Sequence, residues 1–296
     1  MSGALPILLA AASGGVFTDL SGRATIRTDT PRAVGAIVWD LRQRYGWRIN
    51  YEDPRIRYRG DYVDVTVPSY QPRTPEDRAL DPRAGLLEVT FAAPSEEGAP
   101  DDPAPVLEAL VQAHAASGLP GRFEVRQLGD QYDIVGVAAD DESGQTVSQD
   151  PVLDARISIP ERERSLMDLV HEVCVQVSRA TGVRIQEGTL PAGALRQGSM
   201  QQGFSDRPAR EVLREALSRL RWPWAWSLNC EIGGRTCVLN VDPVGVLMQM
   251  PWLGCARAPA QTASVLDPGN DEGSQASTAR LPSSRREILS GDQNGR

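Results

Sequence analysis

The sequence predicts an α+β protein of two tandem small domains, each with two helices packed on a small mixed β-sheet, followed by a disordered C-terminal tail. Three observations carry this expectation. Residues 24–137 and 155–241 can each be read as strand, helix, strand, strand, helix, strand, strand, and a repeated order fixes architecture before detail. The junctions Gly46-Trp-Arg-Ile49 and Gly182-Val-Arg-Ile185 nearly coincide. Beyond Ala256 the chain turns to Ala, Ser, Pro, Gly and Asp without apolar period, a composition that cannot bury enough surface to fold.

The domain boundaries follow in order. Residues 1–23 form a signal-like or flexible N-terminus. The run 5–12 (LPILLAAA) precedes Ser13-Gly14-Gly15, but the first arginine is Arg23, so a secretory signal and a frayed apolar end both fit. The first repeat, 24–137, opens on the strand Ala24-Thr-Ile-Arg-Thr28. Thr30-Pro31 reads as N-cap and first helical residue. Val34, Ile37, Val38, Leu41 and Tyr45 then recur at helical spacing, and Gly46 ends the helix. Trp47–Tyr51 is the next strand. Residues 53–84 are an insertion, with an extra strand over 61–67 and a Pro-, Arg- and Asp-rich loop over 68–84, where specific function is most expected. Leu87, Val89 and Phe91 alternate as a strand, Asp102-Pro103 starts a helix, and 123–137 is a hairpin around Gly129-Asp130. Residues 138–153 read as a linker.

The second repeat, 154–255, follows the same plan. Ala155-Arg-Ile-Ser-Ile159 is a strand. Ser165 caps a helix with Asp168 three residues on, and Leu166, Leu169, Val170, Val173, Cys174 and Val177 form its stripe. Gly182 ends it, and Val183–Gln186 is a strand. Phe204 precedes Pro208 and the helix that carries Val212–Leu217. Residues 244–255, with Val246, Leu247, Met248, Met250, Trp252 and Leu253, are expected to pack back on this domain.

The last hairpin carries the compartment argument. A two-residue Gly233-Gly234 turn sets Ile232 opposite Arg235, Cys230 opposite Cys237, Leu228 opposite Leu239 and Trp226 opposite Val241. That register puts Cys230 and Cys237 within reach of a disulfide, at a hydrogen-bonded pair. Two free core thiols fit as well. A bond would imply an oxidising compartment, and with it a periplasmic or secreted protein; without it a cytoplasmic one stands. Of the four cysteines, Cys174 reads as core and Cys255 as a free or intermolecular thiol; no C-x-x-C supports zinc or thioredoxin-like chemistry.

The chain of 296 residues carries a formal charge of −8, and all its basic side chains are arginine. Arg scattered among Asp and Glu argues against a nucleic-acid backbone as partner, and no apolar run approaches the ~20 residues of a membrane span. Of the two histidines, His171 with Glu172 starts the zinc pattern H-E-x-x-H, but Val175 stands where the second His belongs; His114 lies on a helix flank. Nucleophile elbows, phosphate loops and dinucleotide fingerprints are absent. The acidic pairs Asp101-Asp102 and Asp140-Asp-Glu142 read as caps and solubilising charge. No catalytic residue, metal ligand or cofactor is therefore expected. Trp222, Trp224 and Trp226 alternate; Trp224 and Trp226 read as core, leaving Trp222 and Trp252 as candidate binding residues.

These residues also carry a resemblance. The succession Ile157-Ser-Ile-Pro160, an amphipathic helix to Ala180-Thr-Gly-Val183, a strand, Gly198 and Gly203-Phe204, Val212-Leu-Arg-Glu-Ala-Leu217 and a closing hairpin resembles the short N-terminal domain of secretins and TonB-dependent receptors. Residues 26–137 look like a divergent version with an insertion. The resemblance implies a non-enzymatic envelope protein whose partner is another protein, in secretion-complex assembly or signalling. The alternative is a small-ligand binder or enzyme with its site between the two domains, under the 68–84 loop as a lid.

Overall fold

The computed structural model describes residues 15–18, 22–67, 74, 78–93 and 102–245, all within one compact unit. The first repeat runs β1 (Gly15–Thr18), β2 (Arg23–Thr28), α1 (Ala33–Tyr45), β3 (Ile49–Glu52), β4 (Tyr62–Asp64), β5 (Leu80–Pro82), β6 (Leu87–Ala92), α2 (Ala104–Ser117), β7 (Arg122–Leu128) and β8 (Gln131–Asp140). After β9 (Thr146–Ser148), the second runs β10 (Arg156–Ile159), β11 (Arg164–Ser165), α3 (Leu166–Thr181), β12 (Arg184–Glu187), α4 (Ala192–Gln197), β13 (Ser199–Met200), β14 (Phe204–Pro208), α5 (Ala209–Ser218), β15 (Trp224–Cys230) and β16 (Thr236–Pro243).

The α+β class holds, and the two repeats share a strand plan. In the first, β2 pairs antiparallel with β6, β3 parallel with β8, and β7 antiparallel with β8. In the second, β10 pairs antiparallel with β14, β12 parallel with β16, and β15 antiparallel with β16. Each repeat keeps its own apolar cluster, one under α1 and α2, the other under α3 and α5. The helix stripes read from the sequence are the buried ones, apart from the half-buried Tyr45, and Gly46 and Gly182 close α1 and α3 at φ 69° and 71°. Ser165 caps α3, its Oγ accepting from the Asp168 N–H at 3.1 Å.

The repeats are joined by their sheets. β15 pairs parallel with β3, giving the continuous order β12-β16-β15-β3-β8-β7 with β9 beside β8. In this pairing Ser227 lies opposite Tyr51 and Leu228 opposite Glu52. Tyr51 belongs to the first cluster and Leu228 to the second, so the two helix pairs cover opposite faces of one sheet. Strand direction also reverses from one repeat to the next. The operator relating them is therefore a half-turn about an axis across the strands, plus a translation along it.

Several local expectations are corrected. The 138–153 linker carries structure of its own: Ala138 pairs with Ser148, Ala139 with Val147, Asp140 with Thr146, and Val152–Asp154 makes a short 3-10 turn. Gly15–Thr18 of the expected flexible N-terminus pairs with β2. The second repeat has a third helix, α4. Thr30-Pro31 does not cap α1; Arg32 stands at the N-cap in the left-handed region at φ 56°, with no side-chain cap, because its guanidinium reaches back to three acceptors described below. Within the insertion, β4 and β5 form a separate hairpin. Residues 246–296, with Trp252, Cys255 and the expected tail, lie outside the described residues, as do most of residues 1–21 and of the 68–78 loop.

The final hairpin keeps the expected register with a different turn. Trp226 faces Val241, Leu228 faces Leu239 and Cys230 faces Cys237. The Glu231 N–H donates to the Thr236 carbonyl at 2.8 Å and the Gly234 N–H to the Glu231 carbonyl at 3.0 Å, so four residues make the turn. Gly233 and Gly234 supply its positive φ values of 90° and 64°. The longer turn shifts the hydrogen-bonding phase by one residue. Cys230 and Cys237 therefore occupy a non-hydrogen-bonded pair, the kind in which opposed side chains approach most closely. They are joined by a disulfide across a Cα separation of 3.9 Å.

Candidate functional site

The seam between β15 and β3 is built from polar side chains of the first repeat. Along β15, Trp226, Leu228 and Cys230 turn their side chains into their own core and their backbone groups toward β3. The Leu228 carbonyl accepts from the Asp53 N–H at 2.9 Å. The Trp226 N–H donates to Asn50 Oδ1 at 3.1 Å, and its carbonyl accepts from Arg42 at 2.8 Å. The Cys230 N–H donates to Asp53 Oδ2 at 3.0 Å, and its carbonyl accepts from Arg32 at 3.0 Å. Arg32 also pairs with Asp53 at 2.8 Å and Asp81 at 2.6 Å, while Tyr51 donates its hydroxyl to Asp53 at 2.5 Å. Arg42, wholly buried, holds the Ile49 carbonyl as well; burial lowers its pKa to about 10 against the pull of Asp242.

A buried ionic layer backs the seam on the opposite face. Arg210 of α5 meets Glu52 at 2.7 Å, Asp133 at 3.2 Å and Asp154 at 2.5 Å, and stacks its guanidinium 5.7 Å from the Trp226 ring centroid. Arg214 adds a second contact to Asp133 at 2.8 Å, and Arg126 reaches Asp154 at 2.7 Å. Burial opposes the Arg210 charge, yet Glu52, Asp133 and Asp154 outweigh it and raise its pKa. Burial pushes the Glu52 carboxyl above its ordinary value, although Arg210 and the Leu153 N–H favour the anion. These charges are spent on one another. Among the described residues, the ionisable side chains named here at the joint between the repeats are paired with one another.

The first repeat carries shallow hollows. One is lined by Thr30, Arg32, Tyr51, Asp53, His114 and Phe123 among others. His114 is buried edge-on to the Phe123 ring, its Nδ1 has no partner, and burial followed by the Arg122 charge lowers its pKa to about 4. Another gathers Asp61 and Asp140 with Arg83 and Arg122. Each acid already stands near a compensating arginine or hydroxyl: Asp61 at 3.8 Å from Arg83, Asp140 bonded to Thr146 at 2.6 Å. No group of three or more metal-ligating side chains occurs among the described residues.

Of the residues singled out from the sequence, Cys230 and Cys237 are joined, and Trp252 lies outside the described residues. Trp222 is 46% exposed and stacks under Arg221, 5.2 Å from guanidinium carbon to ring centroid, while Trp226 is fully buried. His171 bonds Glu187 at 2.6 Å on the surface. Asp102 accepts from the Ala104 N–H and the Tyr132 hydroxyl, as a cap does. Cys174 is buried and its thiol pKa is pushed up to about 12 by burial. Sequence reasoning missed the seam residues. A signal existed: Arg42 sits four residues after Val38, and Arg210 three before Leu213, each inside an apolar stripe where a solvated arginine does not belong.

The two outer edges of the sheet remain. On β7 the partner of Gln127 is Tyr132, whose N–H is turned to β3 and donates to the Arg48 carbonyl at 2.9 Å. The alternation therefore aims the backbone groups of Phe123, Val125 and Gln127 away from β8. Among the described residues no backbone bond reaches them. On β12 the outward Ile185 N–H is held by Ser178 Oγ at 2.9 Å, and the outward groups of Glu187 have no backbone partner among the described residues. No helix of the described residues is long and apolar enough to cross a membrane. No protein-family model matches this chain, and neither a curated protein nor a solved structure does.

Proposed function

We propose that this chain is a non-enzymatic protein–protein interaction module of the cell envelope, serving secretion-complex assembly or signalling, and that its contact is strand addition at β7. The observation that carries this reading is the open β7 edge, a seven-residue strand whose outward backbone groups are unpaired among the described residues. The Cys230–Cys237 disulfide supports an oxidising compartment. The resemblance of residues 157–241 to the short secretin and TonB N-terminal domain, read from the sequence, points the same way. The alternative, a ligand site between the repeats, loses ground because the arginines and carboxylates there neutralise one another.

The test combines fractionation with a photocrosslinking residue at Gln127 in the native host. The expected result is recovery from the envelope, with position 127 crosslinked to another protein. Recovery from the cytoplasm with Cys230 and Cys237 reduced would remove the envelope reading. Crosslinks from exposed control positions but none from 127 would remove the edge.

A further inference from the structure

We infer that the sheet is built to continue, and that the partner at the β7 edge is the β12 edge of a second copy of this chain. This deepens the interaction reading and rests on it. Each repeat presents the same two sides: a hairpin strand, β7 or β15, and a strand following the first helix, β3 or β12. Inside the chain, the hairpin strand of the second repeat pairs with the post-helix strand of the first. What remains unpaired at the two ends is the complementary set, the hairpin strand β7 and the post-helix strand β12. The phase agrees as well. In β15 and β7 alike, the core-facing residues are those with edge-facing backbone, and Ile185 of β12 obeys the same rule as Ile49 of β3.

The same operator applied between molecules therefore lays β12 of one copy parallel to β7 of another, with the helices alternating faces as they do across the intramolecular seam. The contact is head-to-tail, and a half-turn with translation does not close on itself, so growth is open-ended. It is also weaker than the internal seam. Counting from Gly46 and Gly182, the seam residues Arg42, Asn50 and Asp53 correspond to Ser178, Gln186 and Thr189. Ser178 and Thr189 are already engaged within the repeat, Ser178 with the Ile185 N–H and Thr189 with Asn240. Association then depends on concentration rather than being obligate.

Sedimentation and light scattering of the purified oxidised chain, from low micromolar to near-millimolar concentration, read this out. The average mass is expected to climb past the dimer without a plateau. Val125→Pro and Glu187→Pro each replace an edge-facing N–H outside the internal ladder. Each variant alone is expected to be monomeric, and their equimolar mixture to form a dimer that grows no further. A parent chain monomeric throughout, or single variants that associate like the parent, overturns the proposal. If a proline variant fails to fold, photocrosslinking from Gln127 in the otherwise unaltered purified chain decides: the crosslinked peptide must include residues 184–187, and a crosslink elsewhere refutes the pairing. A monomeric purified chain whose position 127 captures a different protein in the envelope removes self-pairing and leaves the interaction reading standing. A chain that pairs with itself but resides in the cytoplasm does the reverse.

Discussion

The first repeat buries Thr28, Arg42, Asn50, Glu52, Asp53, Asp61, His114 and Asp133, whereas the second buries Arg164 and Arg210 among otherwise apolar side chains. Both repeats nevertheless follow one strand plan. The difference lies where the halves meet: Arg42 of α1, Asn50 of β3 and Asp53 just after it satisfy the exposed backbone of β15. The same topology with Ser178, Gln186 and Thr189 at the matching positions leaves the β12 edge short and partly self-capped. Fold and joint are thus separable properties. The plan comes from apolar periodicity, and the joint from a few polar side chains set within it.

The sharpest way to break that contrast is Arg210→Ala. It strands the wholly buried Glu52, while Asp133 keeps Arg214, and uncompensated buried charge costs about 3–5 kcal/mol. Urea unfolding is expected to show this loss, with part of it recovered by Glu52→Gln in the same chain. Equal stability of parent and variant would mean that the ionic layer does not join the halves.

His114 tests the interior of the first repeat. Its folded pKa is lowered from 6.5 to about 4, so between these values the unfolded chain binds more protons and stability rises with pH. The histidine contribution is complete above pH ~6.5 and lost as pH falls toward 4, a span worth about 3 kcal/mol. Parent minus His114→Phe stability, measured across that window, isolates the effect from Asp40 and Glu52, whose raised values act in the opposite sense. A difference that is flat with pH would count against a neutral buried His114.

The disulfide probes the second repeat. Closing so short a loop is worth about 2–3 kcal/mol by chain entropy. Reduction, or Cys230→Ser with Cys237→Ser, is expected to lower the denaturation midpoint of the oxidised protein by that equivalent. No change would place the stability of β15 and β16 wholly in packing and in the seam.

Much of the fold could be read from the sequence because it was written in local periodicity. The stripes of α1 and α3, their terminal glycines, the Ser165 cap and the pairing of Trp226, Leu228 and Cys230 all depend on neighbours a few residues apart. The shared sheet was not legible in that way. Its contacts join Asn50 to Trp226 and Glu52 to Arg210 across more than a hundred residues, and no spacing rule encodes them. Thr30-Pro31 misleads because the acceptors that draw Arg32 back, Asp53 just after β3, Asp81 of β5 and the Cys230 carbonyl of β15, lie far along the chain. The phase of Cys230 and Cys237 was missed for a narrower reason: two adjacent glycines suit a two-residue turn, but Glu231 and Thr236 bond outside a longer one.

The segment that connects the repeats has a further meaning. From Val137 to Asp154 the chain runs through a hairpin and a short turn rather than an open coil. Two halves held by so short and ordered a tether meet at an effective concentration of roughly millimolar or above, so even a seam of modest intrinsic affinity stays closed. Cutting the chain in this segment would turn that intramolecular equilibrium into an ordinary dissociation constant. Covalent linkage is what lets a polar and otherwise reversible strand contact serve as permanent structure.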